Sequence, residues 1–249
     1  FSPSRQTYIN NFSLKNIKTD KMVTVTGLPS PLYAGSVSWS PSETKIAFTH
    51  TTGTRVDLYV IDVASKKATN EKGIYIGQIN ETVFKNYTKS NLKGAWEKFS
   101  IDQDKNNLYI VGSDVRGTVY GIFETAERLG ISPWKWWADV NNIKKETLVL
   151  NLPAEGITES PSVQFRGIFL NDEDWGLQPW AAKTFEKETG DIGPKTYEKI
   201  FQLLLRLKAN TIWPAMHEST KAFFKIEGNK EMAQKYQILL GTSHAEPML

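Results

Sequence analysis

After residue 163 the chain alternates short apolar segments with amphipathic segments, and this alternation restricts the fold more than any other feature. Strands are predicted at 165–170, 211–213 and 238–243, and helices between them at 195–208 and 230–237. The first of these helices has one apolar face, formed by Tyr197, Ile200, Phe201, Leu204 and Leu207. A strand–helix–strand series predicts parallel strands, either in an open sheet or at the beginning of a (β/α)₈ barrel.

Polar and aromatic residues follow each of these three predicted strands. They are Asn171, Asp172, Glu173 and Asp174, then Trp213, His217 and Glu218, then His244 and Glu246. Two of the three histidines of the chain are among them. Because the carboxyl ends of parallel strands meet at one edge, these side chains can supply acid and base groups and hydrogen bonds to sugar hydroxyls. Polar loops are common, but three such strand ends with tryptophan among them indicate a candidate site.

The first 160 residues divide into two parts with different patterns. Residues 1–70 show only short alternating segments and polar turns, which predicts an all-β meander. Residues 71–160 mix strands with a helix at 118–129, whose apolar face is predicted to be Val119, Ile122, Phe123, Ala126 and Leu129. Asp114 precedes this helix and is predicted to cap it. The tryptophans at 134, 136 and 137 are interpreted as packing between this domain and the barrel, with a platform for sugar as the alternative.

The composition excludes several classes of function. The chain has no cysteine, which excludes disulfides, thiolate metal sites and a cysteine nucleophile. A net charge of +3 is too small to favour nucleic acid or an anionic membrane as a partner. No apolar run is long enough to cross a bilayer, and the three scattered histidines do not predict a metal site. The chain lacks the G-x-S-x-G motif of serine hydrolases.

Five blocks, in order, resemble glycoside hydrolase family 115. They are GSDVRGTVYGI (112–122), SPWKWWADV (132–140), FRGIFLNDED (165–174), LLLRLKANTIWPAMHE (203–218) and GTSHAEPML (241–249). The resemblance extends over about residues 71–249 and implies an α/β helper domain at 71–160. The segment 161–249 would then be the first three strands of a (β/α)₈-type catalytic barrel that is incomplete in this chain.

The same resemblance implies a glycosidase that removes glucuronic acid, or its 4-O-methyl ether, from xylan side chains with inversion. It implies no cofactor and a carbohydrate partner, glucuronoxylan or aldouronic acids. Asp172 and His244 correspond to the acid and the imidazole that contact substrate in the uronate pocket. Asn171, Glu173, Trp213 and Glu246 lie in the same motifs, and position 217, often tryptophan in the family, is His217. The family's general acid lies on later strands, beyond Leu249, so no catalytic residue is assigned. The substrate class predicts export to the periplasm or cell surface.

Residues 37–69 resemble a different family. The segment VSWSPSETKIAFTHTTGTRVDLYVIDVASKKAT is similar to a β-propeller blade of the prolyl-oligopeptidase and dipeptidyl-peptidase family. Two alternative functions therefore remain open beside the glycosidase. One is a fragment of a dipeptidyl-peptidase-related propeller, and the other is a non-catalytic module that binds an acidic sugar.

Overall fold

The computed structural model describes residues 13–15, 22–30, 32, 34–40, 42–53, 55–104, 107–142, 145, 147–171 and 175–242. The chain divides into two compact units. The first comprises Phe1–Leu129 and Ile143–Ser160, and the second comprises Gly130–Asn142 and Pro161–Leu249. Among the described residues, no helix combines the length and the apolar character that a membrane crossing requires.

The first unit contains a two-stranded sheet and a seven-stranded sheet. Its strands are β1 (Ser13–Lys15), β2 (Met22–Thr24), β3 (Ala34–Trp39), β4 (Lys45–Thr52), β5 (Arg55–Asp62), β6 (Lys67–Gln78), β7 (Phe99–Gln103), β8 (Asn107–Gly112) and β9 (Ile157–Glu159). The large sheet has the order β3-β4-β5-β6-β8-β7-β9, and only the β6–β8 pair in it is parallel. Strands β3 to β6 form an antiparallel meander with a core that includes Ile46, Phe48 and Ile61.

The sheet is continuous across the predicted domain boundary at residue 70. That boundary falls inside β6, whose one end pairs with β5 and whose other end pairs with β8. The two segments therefore share one set of backbone hydrogen bonds. The division into domains at 1–70, 71–160 and 161–249 stays a prediction, as does the likeness of the first segment to a propeller blade.

Helix α1 (Val115–Arg128) buries a different face from the one its apolar residues predict. The buried residues are Gly117, Tyr120, Gly121, Glu124 and Thr125, whereas Ile122 is exposed. The reason is close packing on the sheet, because a Cβ at Gly121 would lie only 2.8 Å from Ile110 Cγ2. The predicted cap is confirmed: Asp114 Oδ1 accepts a hydrogen bond from Gly117 N at 2.8 Å.

The second unit contains three short parallel strands in the order β10-β11-β12. They are β10 (Gly167–Phe169), β11 (Thr211–Trp213) and β12 (Leu239–Leu240). The helices are α2 (Leu177–Trp180), which continues as one π-helical turn (Ala181–Phe185), α3 (Pro194–Arg206) and α4 (Asn229–Tyr236). This order is that of a strand–helix–strand series, and no closed barrel is formed by the residues that the structure describes. The (β/α)₈ barrel stays a prediction.

Helix α3 contributes five buried apolar side chains to the core of the second unit. Of its predicted apolar face, Tyr197, Ile200, Phe201 and Leu204 are buried, but Leu207 is exposed and Leu205 is buried instead. Leu207 lies just past the last helical turn, where the chain leaves the helix towards β11.

The amino terminus of α3 is capped by a side chain from the segment that precedes the helix. The residue before the helix is Gly193, which has no side chain to cap it. The buried carboxylate of Glu186 instead accepts hydrogen bonds from Lys195 N at 3.0 Å and Thr196 N at 2.9 Å. A negative charge at this end is also favoured by the helix dipole. Glu186 therefore fixes the beginning of the helix that connects β10 to β11.

Candidate active site

The three strands of the second unit end at the same edge. Phe169 pairs with Trp213, and Ile212 pairs with Leu240, all in parallel register. Two further hydrogen bonds extend the pairing past the strands, from Leu170 N to Trp213 O at 2.8 Å and from Gly241 N to Ile212 O at 2.9 Å. The polypeptide therefore leaves all three strands at one edge, which is where parallel α/β folds bind and transform ligands.

Two of the predicted site residues lie at this edge. Asn171 is exposed and follows β10 by two residues, and Trp213 is the last residue of β11. Four others, Asp172, Glu173, His244 and Glu246, lie outside the described residues. Their assignment to the site stays a prediction, which their position in the sequence next to Asn171 and after Gly241 supports.

Trp213 gives this edge an aromatic surface. Its side chain is 45% exposed, and its ring meets that of Phe169 at 5.9 Å between centroids. Gly241 makes room for it, because a Cβ at that position would overlap the indole nitrogen of Trp213. Trp213 and Gly241 lie within two of the sequence blocks that resemble the glycosidase family. A cavity of about 270 Å³ is lined by Trp213 and Phe169 together with Phe165, Arg166, Gly167, Ile168 and Thr211.

His217 lies in the loop after β11 and is exposed. Its Nδ1 is 3.5 Å from Ser219 Oγ. The far end of this loop is fixed by the buried carboxylate of Asp191, which accepts hydrogen bonds from Thr220 Oγ1 at 2.8 Å and Lys221 N at 3.0 Å. The loop thus presents an exposed imidazole from an anchored backbone, next in sequence to the strand that ends in Trp213.

A hydrogen-bond network at the opposite ends of β10 and β11 holds the two strands in register. The buried side chain of Asn210 accepts from Arg166 N at 3.0 Å and donates to Gln164 O at 2.8 Å. Arg166 in turn donates through Nε to Lys208 O at 2.8 Å. These residues belong to the FRGIFLNDED and LLLRLKANTIWPAMHE blocks or flank them, so part of the family pattern specifies the frame of the site.

An aromatic cluster in the same unit was only partly predicted. Trp136 lies against Trp137 at 4.7 Å, against Trp180 at 5.7 Å and against Phe185 at 5.1 Å between centroids. Trp180 stacks on Phe185 at 4.9 Å with an interplanar angle of 9°. The tryptophans at 134, 136 and 137 were singled out from the sequence, but Trp180 and Phe185 were not, although the WGLQPW segment (175–180) contains two tryptophans.

This cluster borders a cavity in the second unit. The cavity has a volume of about 650 Å³ and is lined by Lys135, Trp136, Trp137, Asp139, Gly176, Leu177 and Trp180. Trp134 is not among these residues. Within the described part of the chain, no group of three or more histidine, aspartate or glutamate side chains is placed to hold a metal ion.

Comparison with known proteins identifies a family for the carboxyl-terminal part of the chain. Residues 158–249 match the model of glycosyl hydrolase family 115. The solved structure of BtGH115A, described as a novel family GH115 4-O-methyl-α-glucuronidase with specificity for decorated arabinogalactans, is 48% identical with a TM-score of 0.63. The similarity covers 72% of this chain and 24% of BtGH115A, so the chain spans about a quarter of that enzyme. The predicted resemblance is thereby confirmed.

Two further results define the extent of the similarity. The solved structure of a GH138 enzyme targeting pectin rhamnogalacturonan II is 17% identical, and the similarity covers 68% of this chain and 20% of that enzyme. Its TM-score of 0.38 is too low to support an argument. No curated protein sequence matches the chain significantly.

Proposed function

We infer from the glycosyl hydrolase family 115 sequence of residues 158–249 that this chain is part of an α-glucuronidase. The enzyme would release glucuronic acid or its 4-O-methyl ether from side chains of a polysaccharide with inversion. The observation on which this rests is the 48% identity to a 4-O-methyl-α-glucuronidase over 72% of the chain. Both similarities favour a glycosidase over the peptidase-related scaffold and over the non-catalytic sugar-binding module.

The edge formed by the three parallel strands supports this function chemically. Asn171 and the exposed Trp213 lie there, and they offer an amide for sugar hydroxyls and an aromatic surface for a pyranose ring. We propose that Asp172 and His244, which follow in sequence, contact the uronate. A histidine is suited to this role because its protonated imidazole forms charge-assisted hydrogen bonds to a carboxylate.

An inverting glycosidase needs two carboxyl groups that are about 6.5–9.5 Å apart. We propose that this chain contributes the substrate-binding residues, with Glu173, Glu246 and His217 near the bound uronate. The general acid would come from a later strand of the same barrel, as the family resemblance implies. A polysaccharide substrate lies outside the cell, so we also propose that the enzyme is exported.

The decisive experiment is to assay the protein that contains this chain, at full length, for release of uronic acid. The substrates are glucuronoxylan, aldouronic acids and a glucuronic-acid-decorated arabinogalactan. Chromatography of the products is expected to show free glucuronic acid or 4-O-methylglucuronic acid. Proton NMR is expected to show the β-anomer first, because inversion converts an α-linkage to a β-product. No uronic acid from any substrate would overturn the proposal.

Site variants test the assignment of residues separately. Asp172→Asn and His244→Gln are each expected to lower kcat/KM by about ten-fold or more, because each removes a charge-assisted contact with substrate. The matched control is Glu227→Gln, which removes an exposed carboxylate from the same unit. Unchanged activity in both site variants, in an active enzyme, would show that the uronate is bound elsewhere.

A further inference from the structure

The cavity beside Trp136, Trp137 and Trp180 has the dimensions and lining of a ligand site. Its volume of about 650 Å³ lies within the range of about 300–1,000 Å³ that small-molecule sites occupy. Three of its seven described lining residues are tryptophans, and two carry opposite charges, Lys135 and Asp139. Four of these residues, Lys135, Trp136, Trp137 and Asp139, belong to the SPWKWWADV block, to which no ligand has been assigned above.

The aromatic walls of the cavity are fixed in position before any ligand binds. Phe185 stacks on one face of the Trp180 indole, and Trp136 meets Trp180 edge to face. The indole nitrogen of Trp137 donates to Lys199 O at 3.2 Å, which orients that ring and satisfies its polar atom. A ligand would therefore lose little free energy to ordering these side chains, which is the advantage of a preorganised site.

The lining favours a neutral sugar over an ionic or purely apolar ligand. Indole rings offer flat apolar surfaces that match the apolar face of a pyranose. Lys135 offers only donors and Asp139 accepts, so this lining can bond to sugar hydroxyl groups, which both donate and accept. Their charges are opposite, so this pair gives no net attraction for the uronate anion, and the nearby ammonium group of Lys199 lies over the Trp136 ring, 5.8 Å from its centroid. A neutral unit of the polysaccharide fits all of these features.

The cavity is also close in sequence to the candidate active site. Gly176 and Leu177 line it, and Gly176 is five residues after Asn171 at the end of β10. Five residues span at most about 18 Å even when fully extended. A short oligosaccharide attached to a uronate at the strand ends could therefore reach the cavity.

We propose that this cavity is a subsite for neutral pyranose units of the polysaccharide that bears the uronic acid. The subsite binds units other than the uronate itself, with Trp180 and Trp136 as its aromatic walls and Lys135 and Asp139 at its polar side. It rests on the proposed function only for the identity of the polymer. It predicts that the enzyme distinguishes long decorated chains from the smallest uronate substrate.

The test uses Trp180→Ala in the full-length protein and measures binding and kinetics separately. Binding of unsubstituted xylohexaose and of a β-linked galactohexaose is measured by calorimetry, with no requirement for turnover. The variant is expected to weaken binding of the better hexasaccharide by about three- to ten-fold, the effect of losing one aromatic contact. KM for the decorated polymer is expected to rise by a similar factor, while KM for a uronate-bearing disaccharide stays unchanged.

Two other variants distinguish loss of the subsite from a general disturbance of folding. Trp180 packs on Phe185, so its loss could disturb folding; Asp139→Asn leaves those rings intact and keeps a residue that tolerates the positive φ of 49° at this position. It is expected to weaken hexasaccharide binding measurably. The control is Trp134→Ala, which removes an exposed tryptophan of the same segment that is not among the described lining residues and is expected to change nothing.

The outcomes separate this inference from the proposed function. If neither hexasaccharide binds the wild type, or if Trp180→Ala and Trp134→Ala weaken binding equally, the subsite is refuted even in an enzyme that releases uronic acid. If no uronic acid is released from any substrate but Trp180→Ala alone weakens hexasaccharide binding, the proposed function fails and the subsite stands. Equal KM changes for disaccharide and polymer would also refute it.

Discussion

Replacing Asn210 by alanine tests the claim that a hydrogen-bond network sets the register of β10 and β11. Asn210 is 1% exposed, and its side chain makes at least three hydrogen bonds. Oδ1 accepts from Arg166 N at 3.0 Å and Thr211 Oγ1 at 2.7 Å, and Nδ2 donates to Gln164 O at 2.8 Å. All three are lost in Asn210→Ala, which leaves Arg166 N, Thr211 Oγ1 and Gln164 O without this partner.

The expected loss of unfolding free energy follows from the number of hydrogen bonds removed. Each hydrogen bond contributes about 0.5–1.5 kcal/mol net, so the loss of all three should lower the free energy of unfolding by about 2–4 kcal/mol. Asn210→Asp should cost about as much, because it keeps an acceptor for Arg166 N but turns a carboxylate oxygen towards the carbonyl of Gln164. The matched control is Asn141→Ala at an exposed position of the same unit, which should stay within about 0.5 kcal/mol of the wild type.

Guanidinium unfolding followed by tryptophan fluorescence measures this loss in the unit concerned. Six of the eight tryptophans of the chain belong to the second unit, so the signal reports mainly on it. The midpoint should fall with an unchanged denaturant slope. If Asn210→Ala differs from the wild type by less than about 0.5 kcal/mol, the network does not hold the strands together and the reasoning is wrong.

Two further predictions concern the first unit, and both are measured by denaturant unfolding. Burial and the hydrogen bond to Asp102 raise the pKa of Tyr87 well above its ordinary value. The folded state therefore holds the phenolic proton of Tyr87 more tightly than the unfolded state does. The resulting stabilisation of the folded state is fully present below about pH 10 and is lost as the pH rises further. Tyr87→Phe should thus be less stable than the wild type by about 1–2 kcal/mol at pH 8, with a difference that shrinks above pH 10; a constant difference would contradict this. Asp114→Ala should lower the free energy of unfolding by about 1–3 kcal/mol, because Asp114 accepts hydrogen bonds from both Gly117 N and Glu97 N. Asp114→Asn keeps one acceptor and should lower it by about half as much. Equal losses in the two variants would contradict the double role of Asp114.

Local rules predicted β11, α3 and α4 of the second unit well, but they did not predict α2, and β12 is shorter than the predicted strand at 238–243. Strand β11 was predicted at its observed bounds, and α3 and α4 within two residues, because their apolar periodicity and flanking residues are strong. The buried face of α1 was predicted wrongly. Periodicity selects large apolar residues, whereas this helix approaches the sheet through Gly117 and Gly121, which have no side chain to signal burial.

Several side-chain contacts that position the elements of the second unit could not be predicted from sequence. Glu186 caps α3 across nine residues, and Arg166 meets Asn210 across forty-four. Neither distance has a pattern that local rules detect, since the pairing depends on which elements become neighbours after folding. The cavity at Trp180 was missed for the same reason, because Trp136 and Trp180 are distant in sequence and meet only in the folded unit.

The family pattern in this chain therefore contains residues of two kinds. One kind maintains the structure of the strands: Arg166 and Asn210 bond to each other, and Gly241 leaves room for Trp213. The other kind, Asp172 and His244, is proposed to contact substrate. A frame variant acts on the fraction of folded enzyme, so Asn210→Ala should lower total activity and leave KM and the activity per folded molecule unchanged. A substrate-contact variant such as Asp172→Asn acts on kcat/KM in fully folded protein. A match to the family thus predicts that the strands and their ends fold as in the family. Only the substrate-contact variants test whether residues at those ends bind substrate.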